Sequence, residues 1–165
     1  MLVTALSGGV GGAKLVLGLS KILKPGELAV VGNTGDDFEL YGLHISPDLD
    51  IVIYTLAGIV DPEKGWGVRD DTFGTLDALN RLYGLERWFS LGDKDMSTHI
   101  YRTSLLAQGY RLSQVTSLIS SALGVAGVRV LPMTDDTVQT MVRIQDGSTI
   151  HFQDYFVKRG CSDEV

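Results

Sequence analysis

The sequence predicts an α/β fold of Rossmann-like, three-layer type with a mainly parallel sheet. Two observations carry that expectation: apolar runs too short for helices alternate with stretches of helical period, and the first such junction is filled with glycine. A third is the hydrophobic content of 44% in 165 residues, enough for one substantial core and too little chain for two full domains. The whole of residues 1–165 is therefore expected to be a single domain.

Residues 2–6, Leu-Val-Thr-Ala-Leu, are apolar and run straight into glycines, as expected of a parallel strand buried on both faces. From Ala13 the apolar positions Leu15, Val16, Leu19, Ile22 and Leu23 fall at helical spacing until Pro25-Gly26 ends the run. Residues 28–31 form the next buried strand, completing a β-α-β unit whose ligand crevice lies beyond the carboxyl ends of its strands. Residues 32–45, rich in Gly, Asp and Asn, read as a loop at that edge. Ser46-Pro47-Asp48 has the chemistry of a helix start, which outweighs the β-prone Ile51-Val52-Ile53-Tyr54 and predicts a helix to about Ala57, stopped by Gly58.

Residues 61–72 read as a polar connection and 75–83 as an amphipathic helix closed by Gly84. A short strand is expected at 88–91, then a helical pair at 97–108 and 113–123. The period then changes. Strands are expected at 128–131, 138–144 and 150–157, the last two joined by a hairpin turn at Asp146-Gly147. With few crossovers for a doubly wound sheet, the chain reads as the N-terminal part of a longer one.

Composition excludes several functions. A formal charge of -6 argues against non-specific nucleic-acid binding, which needs a basic field. No stretch approaches the roughly 20 apolar residues of a membrane span. The apolar start is too short for a signal peptide and lacks a basic flank, and Cys161, the lone cysteine, allows no internal disulfide and no cysteine-based zinc cluster. A cytoplasmic setting is the expectation.

Ser7-Gly8-Gly9-Val10-Gly11-Gly12-Ala13-Lys14 is the strongest chemical signal. Glycines admit a phosphate close to the backbone, the helix N-terminus offers free N–H groups, and Lys14 adds a full charge in what reads as the first turn. The spacing satisfies neither a Walker A loop nor a clean dinucleotide fingerprint. In Asn33-Thr34-Gly35-Asp36-Asp37, paired carboxylates beside a phosphate loop suit magnesium, which keeps several waters; an ordinary solvated turn is the competing reading. Asp48 and Asp50 sit in a predicted first helical turn, where Asp48 reads as a capping group and Asp50 as a residue able to accept a hydroxyl proton or orient an acceptor. Trp66, between Gly65 and Gly67, could stack on a planar ring, although core packing is the commoner fate of a tryptophan. His99 and His151 have no partner at metal-binding spacing and read as structural.

Taken in order, Ser7-Gly-Gly-Val-Gly-Gly-Ala-Lys14, Gly32-Asn-Thr-Gly-Asp-Asp37, Ile45-Ser-Pro-Asp-Leu-Asp50 and Trp66-Gly67 with Asp71-Thr-Phe-Gly74 resemble the 2-phospho-L-lactate transferase family. The resemblance continues through Leu91-Gly-Asp-Lys-Asp95 with Thr98-His99, Leu131-Pro-Met-Thr-Asp-Asp136 and His151-Phe-Gln-Asp154. It implies a cytoplasmic enzyme of coenzyme F-420 biosynthesis that requires magnesium. Such an enzyme moves a phospholactyl or phosphoenolpyruvyl group from a guanosine diphosphate conjugate, such as lactyl-2-diphospho-5'-guanosine or its enolpyruvyl analogue, to the deazaflavin precursor FO, and releases GMP.

The resemblance further implies donor contacts at Gly8, Gly9, Gly11, Gly12, Asn33 and Thr34 and a metal contact at Asp36, to which the residues' own chemistry adds Lys14 for the donor and Asp37 for the metal. It implies FO contacts at Asp50 and Ser90, with Asp50 either a general base or only a binder, and allows a homodimer; Trp66 joins the FO contacts as the residue able to stack on a planar ring. Family members run to nearly twice this length. A nucleotide-sugar-binding regulator of the related gluconeogenesis-factor group is the alternative. A nicotinamide-dependent enzyme is disfavoured, because Val31-Gly32-Asn33 supplies no ribose-binding acid.

Overall fold

The computed structural model describes residues 1–165. Three parallel strands form the central sheet: β1 (Val3–Ser7), β2 (Leu28–Gly32) and β5 (Val128–Pro132), in the order β1-β2-β5. Their register sets Ser7 opposite Gly32 and Gly32 opposite Pro132, so all three strands end at one edge. The loops that follow each strand therefore emerge side by side, which is where an open parallel sheet receives ligands.

The helices are α1 (Gly9–Ile22), α2 (Pro47–Leu56), α3 (Gly74–Tyr83), α4 (Asp93–Ala107) and α5 (Leu112–Ala122). The main core joins Val16 of α1, Leu49 and Ile51 to Tyr54 of α2, Val115 and Ile119 of α5, and Leu28, Val30 and Val130 of the sheet. Every residue of α2 from Asp48 to Thr55 is buried. A helix enclosed on all sides can carry β-branched residues all round, so the Ile-Val-Ile run is helical despite its strand propensity.

Several elements differ from the sequence expectation. β1 is an edge strand, not one covered on both faces: Leu6 is 81% exposed, while Val3 and Ala5 pack on the core. α1 begins at Gly9, four residues earlier than the apolar period suggests, which places Lys14 in the second turn. The 32–45 stretch is not wholly loop. It contains an antiparallel hairpin of β3 (Phe38–Leu40) and β4 (Leu43–Ile45), turned by Tyr41 and Gly42 at φ 52 and 76. Two consecutive positive φ values are the signature of a tight hairpin turn, disguised here by a tyrosine at the first position.

Residues 88–91 form no strand; Trp88 and Phe89 instead pack around Phe38, with ring centroids 5.5 and 5.0 Å from it. Near the C-terminal end the hairpin through Gly147 is present but short, pairing β6 (Met141–Arg143) with β7 (Thr149–His151). Residues Asp154–Lys158, read from sequence as strand, form a π-helical turn that stacks Phe156 on Phe152 at 5.4 Å.

Two carboxylates lock α3 to α4 reciprocally. Asp71 accepts the backbone N–H of Lys94 (2.8 Å) and of Asp95 (3.0 Å), while Asp93 accepts those of Gly74 and Thr75 (both 2.9 Å). Each acid satisfies amides at the other helix's N-terminus that would otherwise lack a partner.

Candidate functional site

The turn from β1 into α1 is built by close approach. A Cβ on Gly12 would stand 2.4 Å from Ser7 Oγ and 3.2 Å from Ser7 Cα, so this glycine lets the helix start lie against the strand end. Gly9 has φ +63, the left-handed region in which side chains are strained. Gly11 is different: it is exposed, and nothing lies within 4 Å of where its Cβ would be. Its lack of a side chain serves open space in front of the helix.

That helix start already holds a protein anion. Asp48 Oδ1 accepts the Gly9 N–H at 2.7 Å, and its Oδ2 accepts the Asn33 side-chain N–H at 2.8 Å. Asn33 Oδ1 in turn accepts the Gly35 N–H at 3.0 Å. Asp48 therefore caps α1 from across the fold, whereas its sequence position suggested its own helix. Ser46, which precedes α2, makes no side-chain cap; its hydroxyl donates to Asp37 Oδ2 at 2.7 Å.

Gly8, Gly9, Asp36, Asp48, Trp66 and Ser90 line one cavity of about 610 Å³, walled further by Trp88, Phe89, Gln153 and Phe156. Burial, and then the nearby charge of Asp48, raise the pKa of Asp36 above its ordinary value. Two carboxylates facing one cavity beside a helix N-terminus make a donor set that a divalent cation would relieve. No group of three or more His, Cys, Asp or Glu side chains converges anywhere, so an ion here would complete its shell with water or ligand oxygens.

Asp37 does not join Asp36. It is buried, its Oδ2 takes the Ser46 hydroxyl and lies 3.0 Å from His44 Nε2, and with Thr34 it lines a separate cavity of about 350 Å³. Burial raises its pKa, a shift opposed by the hydrogen bonds from His44 and Ser46.

Asp50, Trp66 and Ser90 do converge, on a cavity of about 90 Å³ that shares Pro47, Trp66, Phe89 and Ser90 with the larger one. Beneath it lies a buried polar network. Arg102, 1% exposed, grips both oxygens of Asp50, Nη1 to Oδ2 at 3.0 Å and Nη2 to Oδ1. Burial works to lower the Arg102 pKa, but the Asp50 carboxylate outweighs it and holds the guanidinium above its ordinary value. Arg102 Nη1 also donates to His99 Nδ1 at 3.0 Å, leaving His99 Nε2 as the protonated nitrogen, 3.2 Å from Asp95 Oδ1. Tyr54 donates to the same Asp95 oxygen at 2.7 Å.

The model of the family described as 2-phospho-L-lactate transferase CofD matches residues 3–165. The chain belongs to this family. A phosphoenolpyruvate transferase of Streptomyces griseus is 47% identical over 169 residues, covering 100% of this chain and 52% of that protein. Those of Kitasatospora aureofaciens and Mycobacterium bovis are 47% and 43% identical, each covering 96% of this chain and 50% and 53% of their own length. The chain thus spans about half the length of the curated relatives it matches. Among solved structures, protein BH3568 from Bacillus halodurans superposes with a TM-score of 0.49 at 15% identity, over 96% of this chain and 48% of that one.

Within this member of the transferase family, Lys14 stands apart from the site, lining a different cavity of about 260 Å³ with Asp61 and Lys64. Sequence reasoning gave no site role to Trp88, Phe89, Phe156 or the trio Asp95, His99 and Arg102, and it read Asp48 as a cap of its own helix and His99 as structural. The trio had a legible signal, for i, i+4 and i+7 on one helix share a face. The aromatic wall had none, since its members come from a loop and a π-helical turn far apart in sequence.

Proposed function

We propose that this chain carries the substrate crevice of a transferase that passes a phospholactyl or phosphoenolpyruvyl group from a guanosine diphosphate conjugate to the deazaflavin precursor FO. One observation carries the reading: a single cavity of about 610 Å³ is lined by the glycine start of α1, by two carboxylates and by a set of large aromatic rings. Phosphate, cation and flat heterocycle are the three recognition problems that such a transfer poses, and each has its chemistry here.

The donor's diphosphate rests against Gly8 to Gly12, where amides beyond Gly9 have no acceptor within the helix. Asp36, with Asp48 beside it, would hold magnesium, which when bound supplies charge neutralisation at the phosphoryl oxygens. Trp66, Trp88 and Phe89 receive the fused ring of FO, and the ribityl hydroxyl reaches the adjoining cavity at Asp50 and Ser90. With both oxygens on Arg102, Asp50 is held in one orientation and serves to position that hydroxyl. The hydroxyl oxygen bonds to phosphorus as the bond from phosphorus to the GMP oxygen breaks, so GMP leaves with the electron pair and the hydroxyl proton passes to the departing phosphate or to water. In-line placement and charge matching do most of the work in chemistry of this kind.

Trp66 and Trp88 are the chain's only tryptophans, and both line the cavity. Their fluorescence therefore reports occupancy directly. FO is expected to quench it saturably, and incubation with FO, the guanosine donor and magnesium to yield the transferred product by mass spectrometry. A nucleotide-sugar-binding regulator would ignore FO. Unchanged fluorescence at saturating FO, with no transferred product from folded protein, would refute the proposal.

A further inference from the structure

The proposed transfer frees a proton from the acceptor's hydroxyl. In an in-line displacement the attacking and leaving oxygens stand on opposite sides of phosphorus, so that proton needs a carrier on the attacking side before it reaches phosphate or water. Asp50 is poorly placed to be the carrier, because both its oxygens are committed to the Arg102 guanidinium. The cavity of about 90 Å³ has a second carboxylate in its wall, Asp95, beside Tyr54 and His99.

Asp95 lies in the first turn of α4, where an acid ordinarily serves the free amides of its own helix. Here Asp71 holds the amides of Lys94 and Asp95, and the Asp95 side chain accepts no backbone N–H. It turns inward instead. Its Oδ1 takes the Tyr54 hydroxyl at 2.7 Å and faces His99 Nε2 at 3.2 Å. Its Oδ2 has no partner in the protein and is not sealed off, the side chain keeping 13% of its surface open.

The groups around Asp95 hold it without neutralising it. Tyr54 stays protonated, because burial, and then the charges of Asp50 and Asp95, raise its pKa well above the ordinary value. His99 has its Nδ1 on Arg102 at 3.0 Å, which leaves its proton on Nε2, toward Asp95. Arg102 thereby orients both carboxylates, Asp50 directly and Asp95 through the imidazole. The other charges nearby are Asp71, on the Asp95 amide, Asp50, 3.7 Å from His99, and Lys94, whose Nζ is on the carbonyl oxygens of Arg69 and Asp70.

We infer that Asp95 is the general base of the transfer. Its Oδ2 takes the proton of the ribityl hydroxyl as that oxygen bonds to phosphorus and the electron pair of the breaking bond leaves with GMP. The proton then passes from Asp95 to water. Asp50 holds the hydroxyl and Asp95 deprotonates it, so the two carboxylates of this cavity have separate duties set by their partners. The inference rests on the proposed function, because it presumes a hydroxyl acceptor in this cavity.

Turnover of FO and the guanosine donor in magnesium, followed across pH, tests it. In the unaltered chain kcat is expected to fall on the acid side, as Asp95 takes up a proton. Asp95→Asn is expected to lower kcat about 100- to 10,000-fold, the range that a positioned base supplies, and to lose the acid-side fall, while FO quenches tryptophan fluorescence as in the parent. Asp95→Ala is expected to regain turnover in formate, a carboxylate small enough for the vacated space, with circular dichroism showing the fold intact. A folded Asp95→Asn with unchanged kcat, or one that keeps the acid-side fall, overturns the inference and leaves the proposed function standing. So does a kcat of the unaltered chain that does not fall on the acid side, a result that needs no variant to fold. No product from the unaltered chain fells the proposed function and this inference together.

Discussion

Arg102 is the residue whose removal the structure predicts to be most costly. It is 1% exposed, and its guanidinium is matched by Asp50, itself 5% exposed. Arg102→Met preserves much of the stem and deletes the charge, leaving Asp50 buried and uncompensated and His99 Nδ1 without its donor. Breaking a buried pair in this way costs about 3–5 kcal/mol, a large part of the roughly 5–15 kcal/mol that holds a domain folded. With a urea slope of about 2 kcal/mol per molar, the midpoint should fall by about 1.5–2.5 M.

The double variant Asp50→Leu/Arg102→Met removes both charges and should be far less destabilised than the sum of the singles. Urea melts followed by far-ultraviolet circular dichroism measure all of this. A midpoint shift below about 0.5 M for Arg102→Met, or additive singles, would show that the pair does not bear on the fold as argued.

Three further outcomes follow from the same geometry. Asp71→Ala strips the acceptor from two amides at the start of α4 and should cost about 1–2 kcal/mol in a urea melt, with α4 amides near Lys94 losing hydrogen-exchange protection. The hydroxyl of Thr72, with the amides of Thr75 and Gly74, holds the Asp93 carboxyl well below the usual carboxylate range. Its stabilising effect is present above the unfolded pKa and fades as pH falls through the folded one, so Asp93→Asn should differ from the parent at pH 6 and converge with it under strong acid. Gly11→Ala meets open space and exchanges glycine for the best helix former, so stability should hold or rise by up to about 1 kcal/mol. GDP affinity should nevertheless drop, whereas Gly12→Ala, 2.4 Å from Ser7 Oγ, should destabilise the fold itself by about 1–3 kcal/mol.

What was legible in the sequence were features written in local runs. The β-α-β start, the helix at Pro47 and the convergence of Asp50, Trp66 and Ser90 on one cavity all follow from contiguous motifs or from the family resemblance. What was not legible depended on pairs distant in sequence. Asp48 reaches 39 residues back to Gly9, and Arg102 reaches 52 residues back to Asp50; neither spacing carries a local period. The hairpin at Tyr41-Gly42 escaped notice because tyrosine rarely takes a positive φ. Asp36 and Asp37 look like a metal pair in sequence because they are adjacent, yet each lines a different cavity.

Asp48 changes what the glycine start of α1 can be. A bare helix N-terminus attracts phosphate unaided, but this one has a carboxylate on its first amide, and Asp36 lines the same cavity. A diphosphate arriving there meets two carboxylates, and burial, with the charge of Asp48 after it, already raises the Asp36 pKa. Phosphate and divalent cation should therefore bind as a pair, each strengthening the other by the same factor, because coupling between two ligands is reciprocal. The expected factor for GDP, measured with and without magnesium, is about tenfold or more. Asp36→Asn should shrink it, since one of the two repelling charges is gone and the cation has lost an anchor. GDP binding that is equally tight with and without magnesium would mean that the helix start accepts phosphate on its own, and that Asp48 yields the Gly9 amide to the ligand.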